Sequence, residues 1–154
     1  MDAQRERLIE TLRAYSGRFT ELSHLFADWL GLHSTDATAL LEIAAAEERG
    51  VPLSPARLSE RILLSPGATT ALLNRLEGAG HIIRSREGTD RRVITLRSSA
   101  YVQERAEEFF HPLGERLDAV MAEHPQELLA GFEALLADLS TSMDSYIAER
   151  ARKN

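Results

Sequence analysis

The stretch LSERILLSPGATTALLNRLEGAGHIIRSREGTDRRVITL, residues 58–96, decides how this chain folds. It reads as three parts joined without a gap. A short helix opening at Ser54 or Pro55 carries Leu58, Ile62 and Leu63 and stops before Ser65. Ser65-Pro66-Gly67 then starts a second helix, because the serine oxygen can accept a free first-turn N–H and a proline at the first helical position gives up no hydrogen bond. That helix is expected to run to about Ala79, with Ala68, Leu72, Leu76 and Ala79 toward the core and Thr69, Thr70, Leu73 and Asn74 on the other sides; Gly80 ends it. From His81 the pattern turns to β-branched residues. Ile82-Ile83-Arg84 and Val93 to Leu96 predict two strands around a four-residue loop, Glu87-Gly88-Thr89-Asp90. Helix, helix and arginine-tipped hairpin, in this order, are the parts with which a winged helix-turn-helix sets one helix in a DNA groove and a β-wing beside it.

Upstream of this stretch, Leu8, Leu12, Tyr15, Phe19, Leu22, Phe26 and Leu30 recur at three- and four-residue spacing and predict one long amphipathic helix, broken at Gly31. A second helix from Ser34 or Thr35 runs through Leu40, Leu41 and Ile43 to about Glu48, and residues 50–53 connect it onward. Downstream of Ser98 helical spacing returns with Tyr101, Val102, Ala106, Phe109, Phe110, Leu113, Leu117 and Val120, and Pro112 is expected to kink or split that helix. His124-Pro125 marks a boundary before a last helix bearing Leu128, Phe132, Leu135, Leu139, Met143 and Tyr146. The expected fold class is therefore mainly α with a small β-wing. Residues 32–98 form the winged helix-turn-helix lobe, and residues 1–31 and 99–154 form a helical dimerisation region. The terminal helices hold more apolar surface than so small a lobe needs as cover. Burial against a second copy is preferred to an intramolecular bundle, so a homodimer is expected.

Composition narrows the class without choosing it. With 154 residues, 44% of them apolar, the chain can build a core. No stretch approaches 18 uninterrupted apolar residues, and the charged start through Arg7 is not followed by the apolar segment of a signal peptide, so the cytoplasm is expected. The absence of cysteine excludes disulfides, thiolate metal sites and thiol redox switching. The net charge of -6 speaks against a polyanionic partner, but the charge is unevenly spread. Residues 51–97 hold eight arginines against four acids, while the rest of the chain holds ten basic residues against twenty acidic ones. A basic middle between acidic ends would orient the molecule toward a polyanion, and an ordinary solvated face would look the same by charge alone.

The residues that carry a family likeness are Leu58-Ser59-Glu60-Arg61, Ser65 through Thr70, Asn74-Arg75-Leu76-Glu77-Gly78-Ala79-Gly80, and Arg84 through Asp90-Arg91-Arg92 to Leu96. This segment resembles the MarR-type (multiple antibiotic resistance regulator) transcription factors, most specifically in the Leu-Glu-x-x-Gly turn into the wing and in Asp-Arg-Arg at its return. The resemblance implies a homodimer with interlocked terminal helices and two winged-helix lobes on a pseudo-palindromic operator of double-stranded DNA. Carried over by position, it implies that the helix from Ser65 enters the major groove, with Thr69, Thr70 and Asn74 as base or phosphate contacts and Ser65 at a phosphate. Arg92 corresponds to the wing arginine that enters the minor groove, and Asp90 to the acid that steadies it. Arg91 belongs to the same wing motif. For Arg84 and Arg86, phosphate contact and plain surface charge both stay open, and Arg75 either touches DNA or braces the fold. Ala71 stands where many members carry arginine and Asn74 where many carry aspartate, so sequence preference does not transfer. Ser98-Ser99 replace the Leu-Thr pair usual at the wing's end.

The resemblance also implies a regulator, most often a repressor, whose DNA affinity responds to an aromatic or phenolic effector. Tyr15, Phe19, His33 and Phe109 are candidates to line its crevice, with core packing as the plainer role for each. Two Glu-x-x-His pairs, Glu21 with His24 and Glu108 with His111, place a carboxylate and an imidazole on one helix face. A di-iron enzyme would need further long helices that this order of elements lacks. A regulatory metal at His24 or His111 is a lesser alternative to surface histidines. No phosphate loop, nucleophile elbow or catalytic triad is legible, so no enzyme, metal or cofactor is expected. The competing class is a winged-helix dimer that has lost DNA binding and serves as a protein-interaction or ligand-binding module.

Overall fold

The computed structural model describes Asp2–Leu32 and Ser34–Lys153, Ser34 by its backbone alone. Its contacts divide the chain into two compact units, residues 1–109 and 110–154. The first holds α1 (Ala3–Trp29), α2 (Ser34–Glu48), α3 (Pro55–Ile62), α4 (Pro66–Gly78), strands β1 (Ile82–Ser85) and β2 (Thr95–Ser98), and the start of α5 (Ala100–Ala122). The second holds the rest of α5 and α6 (Gln126–Ala151). This boundary groups α1 with the lobe, whereas the division read from sequence groups it with the C-terminal helices. Among the described residues no helix is long and apolar enough to cross a membrane.

Local chemistry sets most element ends. Ser54 and Ser65 cap α3 and α4, accepting the N–H groups of Arg57 and Ala68, and a proline follows each at the first helical position. Gly31 and Gly80, at φ 79° each, turn the chain out of α1 and α4. Ser99 begins α5: its hydroxyl oxygen accepts the Val102 N–H at 3.2 Å and its O–H donates to the Gly80 carbonyl at 2.7 Å. The departure at Ser98-Ser99 thus supplies a cap that also ties α5 to the end of α4.

The core of the first unit is built from Leu40 and Ile43 of α2, Leu58 of α3, Leu72, Leu73 and Leu76 of α4, and Leu96 of β2, all essentially inaccessible. Two expectations need correction here. The buried face of α4 is Thr69, Leu72, Leu73 and Leu76, with Ala68 and Ala79 exposed, because the four buried residues follow the i, i+3, i+4, i+7 rule and the bulkier leucines fill the space. Leu63, expected on the short helix, lies outside it. It sits just past α3 in the left-handed region, φ 56°, and is 89% exposed, since the tight reversal into α4 spends its conformation on the turn.

The wing also differs from expectation. Its antiparallel register pairs Ile82 with Ser98 and Ser85 with Thr95, leaving residues 86–94 as the loop in place of four residues. The cause lies in Asp90. Its carboxylate accepts the Arg92 N–H at 3.0 Å and its carbonyl accepts the Val93 N–H at 3.2 Å, a local turn that takes residues 90–93 out of the ladder. The wing base is tied to the lobe through the Leu96 N–H, which donates to the Leu53 carbonyl at 2.8 Å, and through Glu47 of α2, which accepts the Ser98 N–H at 2.9 Å and the Ser98 hydroxyl at 2.8 Å.

Helix α5 continues through Pro112 as one element and is not split. Within the second unit, α6 has no buried residue, and Leu128, Phe132, Leu135, Met143 and Tyr146 remain 41–65% exposed.

Candidate nucleic-acid interface

The outward face of α4 follows from its buried one. Gly67, Thr70, Ala71, Asn74 and Gly78 lie opposite the leucines and are all exposed. Thr70 donates its hydroxyl to the Pro66 carbonyl at 2.9 Å. Ser65 faces solvent at the helix start with its oxygen engaged as the cap. Thr69 does not belong to this face: it is 1% exposed and its hydroxyl donates to the Ser65 carbonyl at 2.9 Å, so the expectation of a groove contact is withdrawn. Arg75 braces α4 to α2 through Asp36, Nη2 to Oδ1 at 2.8 Å, and the carboxylate raises the guanidinium's pKa.

In the wing, Arg84 of β1 reaches back to α4. Its Nε and Nη2 donate to the Glu77 carboxylate at 3.1 and 2.9 Å, and Nη2 also donates to Asn74 Oδ1 at 2.7 Å. The pair shifts both pKa values apart, with Arg84 raised and Glu77 lowered chiefly by their mutual hydrogen bond. Arg84 therefore clamps the wing to α4, and only a quarter of its side chain is exposed. Arg86 donates across the loop to the Arg91 carbonyl. Arg97 holds Glu87 at 3.0 Å and reaches Glu47 at 3.5 Å, so the loop's first limb is pinned to the wing base. At the turn, Arg92 is 91% exposed while its Nε lies 3.1 Å from Asp90 Oδ1, and this guanidinium holds the carboxyl of Asp90 below the usual range. One acid thus shapes the turn through the Arg92 N–H and steers the Arg92 side chain.

Six of the eight arginines in residues 51–97 stand in ion pairs: Arg57 with Glu60, Arg61 with Glu42, Arg75 with Asp36, Arg84 with Glu77, Arg92 with Asp90, and Arg97 with Glu87 and Glu47. Counting charge along the sequence overstated the free positive surface, because Asp36, Glu42 and Glu47 lie outside the counted segment and fold back onto it. Sequence reasoning missed these three acids and the clamping role of Glu77. No spacing rule announces them, since partners such as Asp36 and Arg75 meet only through packing of α2 on α4.

The aromatic candidates separate. Tyr15 and Phe19 pair edge to face at 5.1 Å on α1, whereas Phe109 packs with Phe26 and Trp29 at 5.4 and 5.3 Å. Arg105 lies 4.1 Å over the Trp29 ring. His33 lies outside the described residues. A cleft of about 430 Å³ is lined by His24, Asp28, Thr35, Ala37, Thr38, Ile62 and Leu64, and one of about 300 Å³ by Ser54, Pro55, Ala56, Arg92, Val93 and Ile94; Tyr15, Phe19 and Phe109 line neither. Among the described residues no three metal-ligating side chains converge, and His111 lies 3.6 Å from Glu115, one turn further along α5.

A capped helix presented outward, a short preceding helix and a two-stranded wing with an exposed arginine at its turn define a winged helix-turn-helix. Residues 30–93 match the model of the MarR family. Over 134 residues the chain is 28% identical to the HTH-type transcriptional regulator YcgE of Bacillus subtilis, covering 85% of this chain and 84% of that one. The fold is similar to a MarR family protein from Bacillus stearothermophilus, with TM-score 0.62 and 21% identity over 94% of this chain and 99% of that one. It is likewise similar to transcriptional regulator Tm0710 from Thermotoga maritima, with TM-score 0.61 and 18% identity over 93% and 98%.

Proposed function

We propose that the protein is a cytoplasmic, homodimeric, sequence-specific DNA-binding transcription regulator acting as a repressor. Helix α4 enters the major groove and the Arg92 turn enters the adjacent minor groove. The observation that carries this reading is Arg92 itself: an almost fully exposed guanidinium, at a turn built by the same Asp90 carboxylate that aims it, has no packing purpose in the lobe. A narrow minor groove concentrates negative potential and rewards such an inserted cation. Support for a dimer comes from α6, where Leu128, Phe132, Leu135, Met143, Tyr146 and Ile147 remain exposed. We further infer an aromatic acid as effector. NadR, solved in complex with 4-hydroxyphenylacetate, shares this fold at TM-score 0.51 and 24% identity over 85% of this chain and 89% of that one. The effector would act by changing the distance between the two lobes, which must reach half-sites about one helical turn apart.

Fluorescence anisotropy against DNA from upstream of the protein's own coding region, with scrambled competitor and at several salt concentrations, tests the reading. Specific binding whose log affinity falls by roughly 0.9 per phosphate neutralised is expected. The slope should be shallow for a winged-helix dimer, because most of the lobe's arginines are internally paired. That same pairing favours the second reading, a dimer without DNA binding, which predicts no salt-dependent specific binding at all.

A further inference from the structure

We propose that Arg84 is the positioning residue of Asn74 and turns its amide NH2 toward the major groove, so that Asn74 favours guanine over adenine there. The inference rests on the preceding reading that α4 enters that groove, and it specifies what the helix recognises there.

A free asparagine amide is two-faced: it matches adenine by accepting from N6–H and donating to N7. Asn74 is not free in this sense. Arg84 Nη2 lies 2.7 Å from Asn74 Oδ1, and because a guanidinium has donors only, the atom facing it must be the carbonyl oxygen. The amide NH2 is thereby turned away from the guanidinium and outward. Arg84 cannot swing aside cheaply. Glu77, one turn after Asn74 on the same helix, holds its Nε and Nη2 at 3.1 and 2.9 Å, and only a quarter of its side chain is exposed. Oδ1 keeps a second lone pair, but a base N6–H approaching it would come against the positive guanidinium, whereas the amide N–H groups meet no such opposition. Guanine offers the complementary edge, with O6 and N7 both acceptors. The surroundings leave this contact to Asn74: Gly67, Ala71 and Gly78 share its face without polar side chains, and the Thr70 hydroxyl proton is committed to the Pro66 carbonyl.

Selection from a randomised duplex library, read out for the native chain, Asn74→Ala and Arg84→Ala, tests the assignment, with circular dichroism confirming that each variant is folded. The native chain should favour guanine by about fivefold at one position per half-site, the factor expected of one net neutral hydrogen bond. Asn74→Ala should flatten that position, and Arg84→Ala should move its preference toward adenine while preferences elsewhere persist. Adenine preference in the native chain, or a guanine preference that a folded Arg84→Ala retains, would overturn the proposal. Should Arg84→Ala not fold, the native chain on a duplex with 2-aminopurine at that position, which keeps N7 and lacks O6, decides: a loss of about fivefold supports the contact, and unchanged affinity refutes it. Failure of the native chain to select any sequence would overturn the DNA-binding reading as well, an outcome distinct from selecting duplexes that show the wrong base.

Discussion

The winged-helix lobe and the segment from 110 to 154 handle apolar surface in opposite ways. In the lobe, seven large side chains from α2, α3, α4 and β2 are shut off from water. In α6 no residue is buried, and Leu128, Phe132, Leu135, Met143 and Tyr146 stay exposed. The lobe's elements are short and closely spaced along the chain, so α2, α3, α4 and β2 cover one another's apolar side chains. A long helix can cover its stripe only with another surface of similar length, and that surface is what the proposed second copy supplies. Stability is therefore expected to reside in the lobe and assembly in the terminal helices.

The largest effect that could break this contrast is on assembly. Phe132→Glu combined with Tyr146→Glu should halve the mass in sedimentation velocity and leave the lobe folded by circular dichroism; unfolding of the lobe would show that the two regions share one stability. Next comes Leu76→Ala. Removing a side chain this well buried should lower unfolding free energy in urea by about 2–5 kcal/mol, whereas the same truncation of an exposed α6 leucine would cost far less in the isolated monomer. Arg92→Ala sharpens the division inside the lobe. With its side chain 91% exposed, its loss should leave stability within about 0.5 kcal/mol and weaken specific DNA binding roughly tenfold, about 1.4 kcal/mol, by anisotropy titration.

The smallest effect is a pH dependence confined to the lobe. His81 is 8% exposed, stacks on Tyr101 at 6.0 Å, and its Nδ1 has no partner among the described residues. Burial lowers its pKa from the ordinary 6.5, with the charge of Asp36 pulling the other way. The unfolded chain then binds the proton more readily than the folded one, so the lobe is fully stabilised above pH 6.5 and loses stability as pH falls below it, until the folded imidazole itself protonates. Melting temperatures at pH 7.5 and 5.5 should show this fall in the native chain and a shallower one in His81→Gln.

What could be read early follows from the range of each interaction. The caps at Ser54 and Ser65 and the glycine exits at Gly31 and Gly80 act within a few residues, and each is legible from residue type and spacing. Thr69 was misplaced because a threonine can turn its hydroxyl onto its own helix backbone and so enter a core, which polarity alone does not reveal. The wing loop was drawn too short because a side-chain turn outcompeted two ladder positions.

By itself, then, the sequence determined the order of helices and the winged-helix pattern, because periodicity and capping are local. Tertiary structure alone decided which arginines remain available to a partner. Asp36, Glu42, Glu47 and Glu77 each find their arginine by packing of one element on another, and that pairing ties Arg61, Arg75, Arg84 and Arg97 to neighbouring elements. Charge acts through space, and distance along the chain does not measure it.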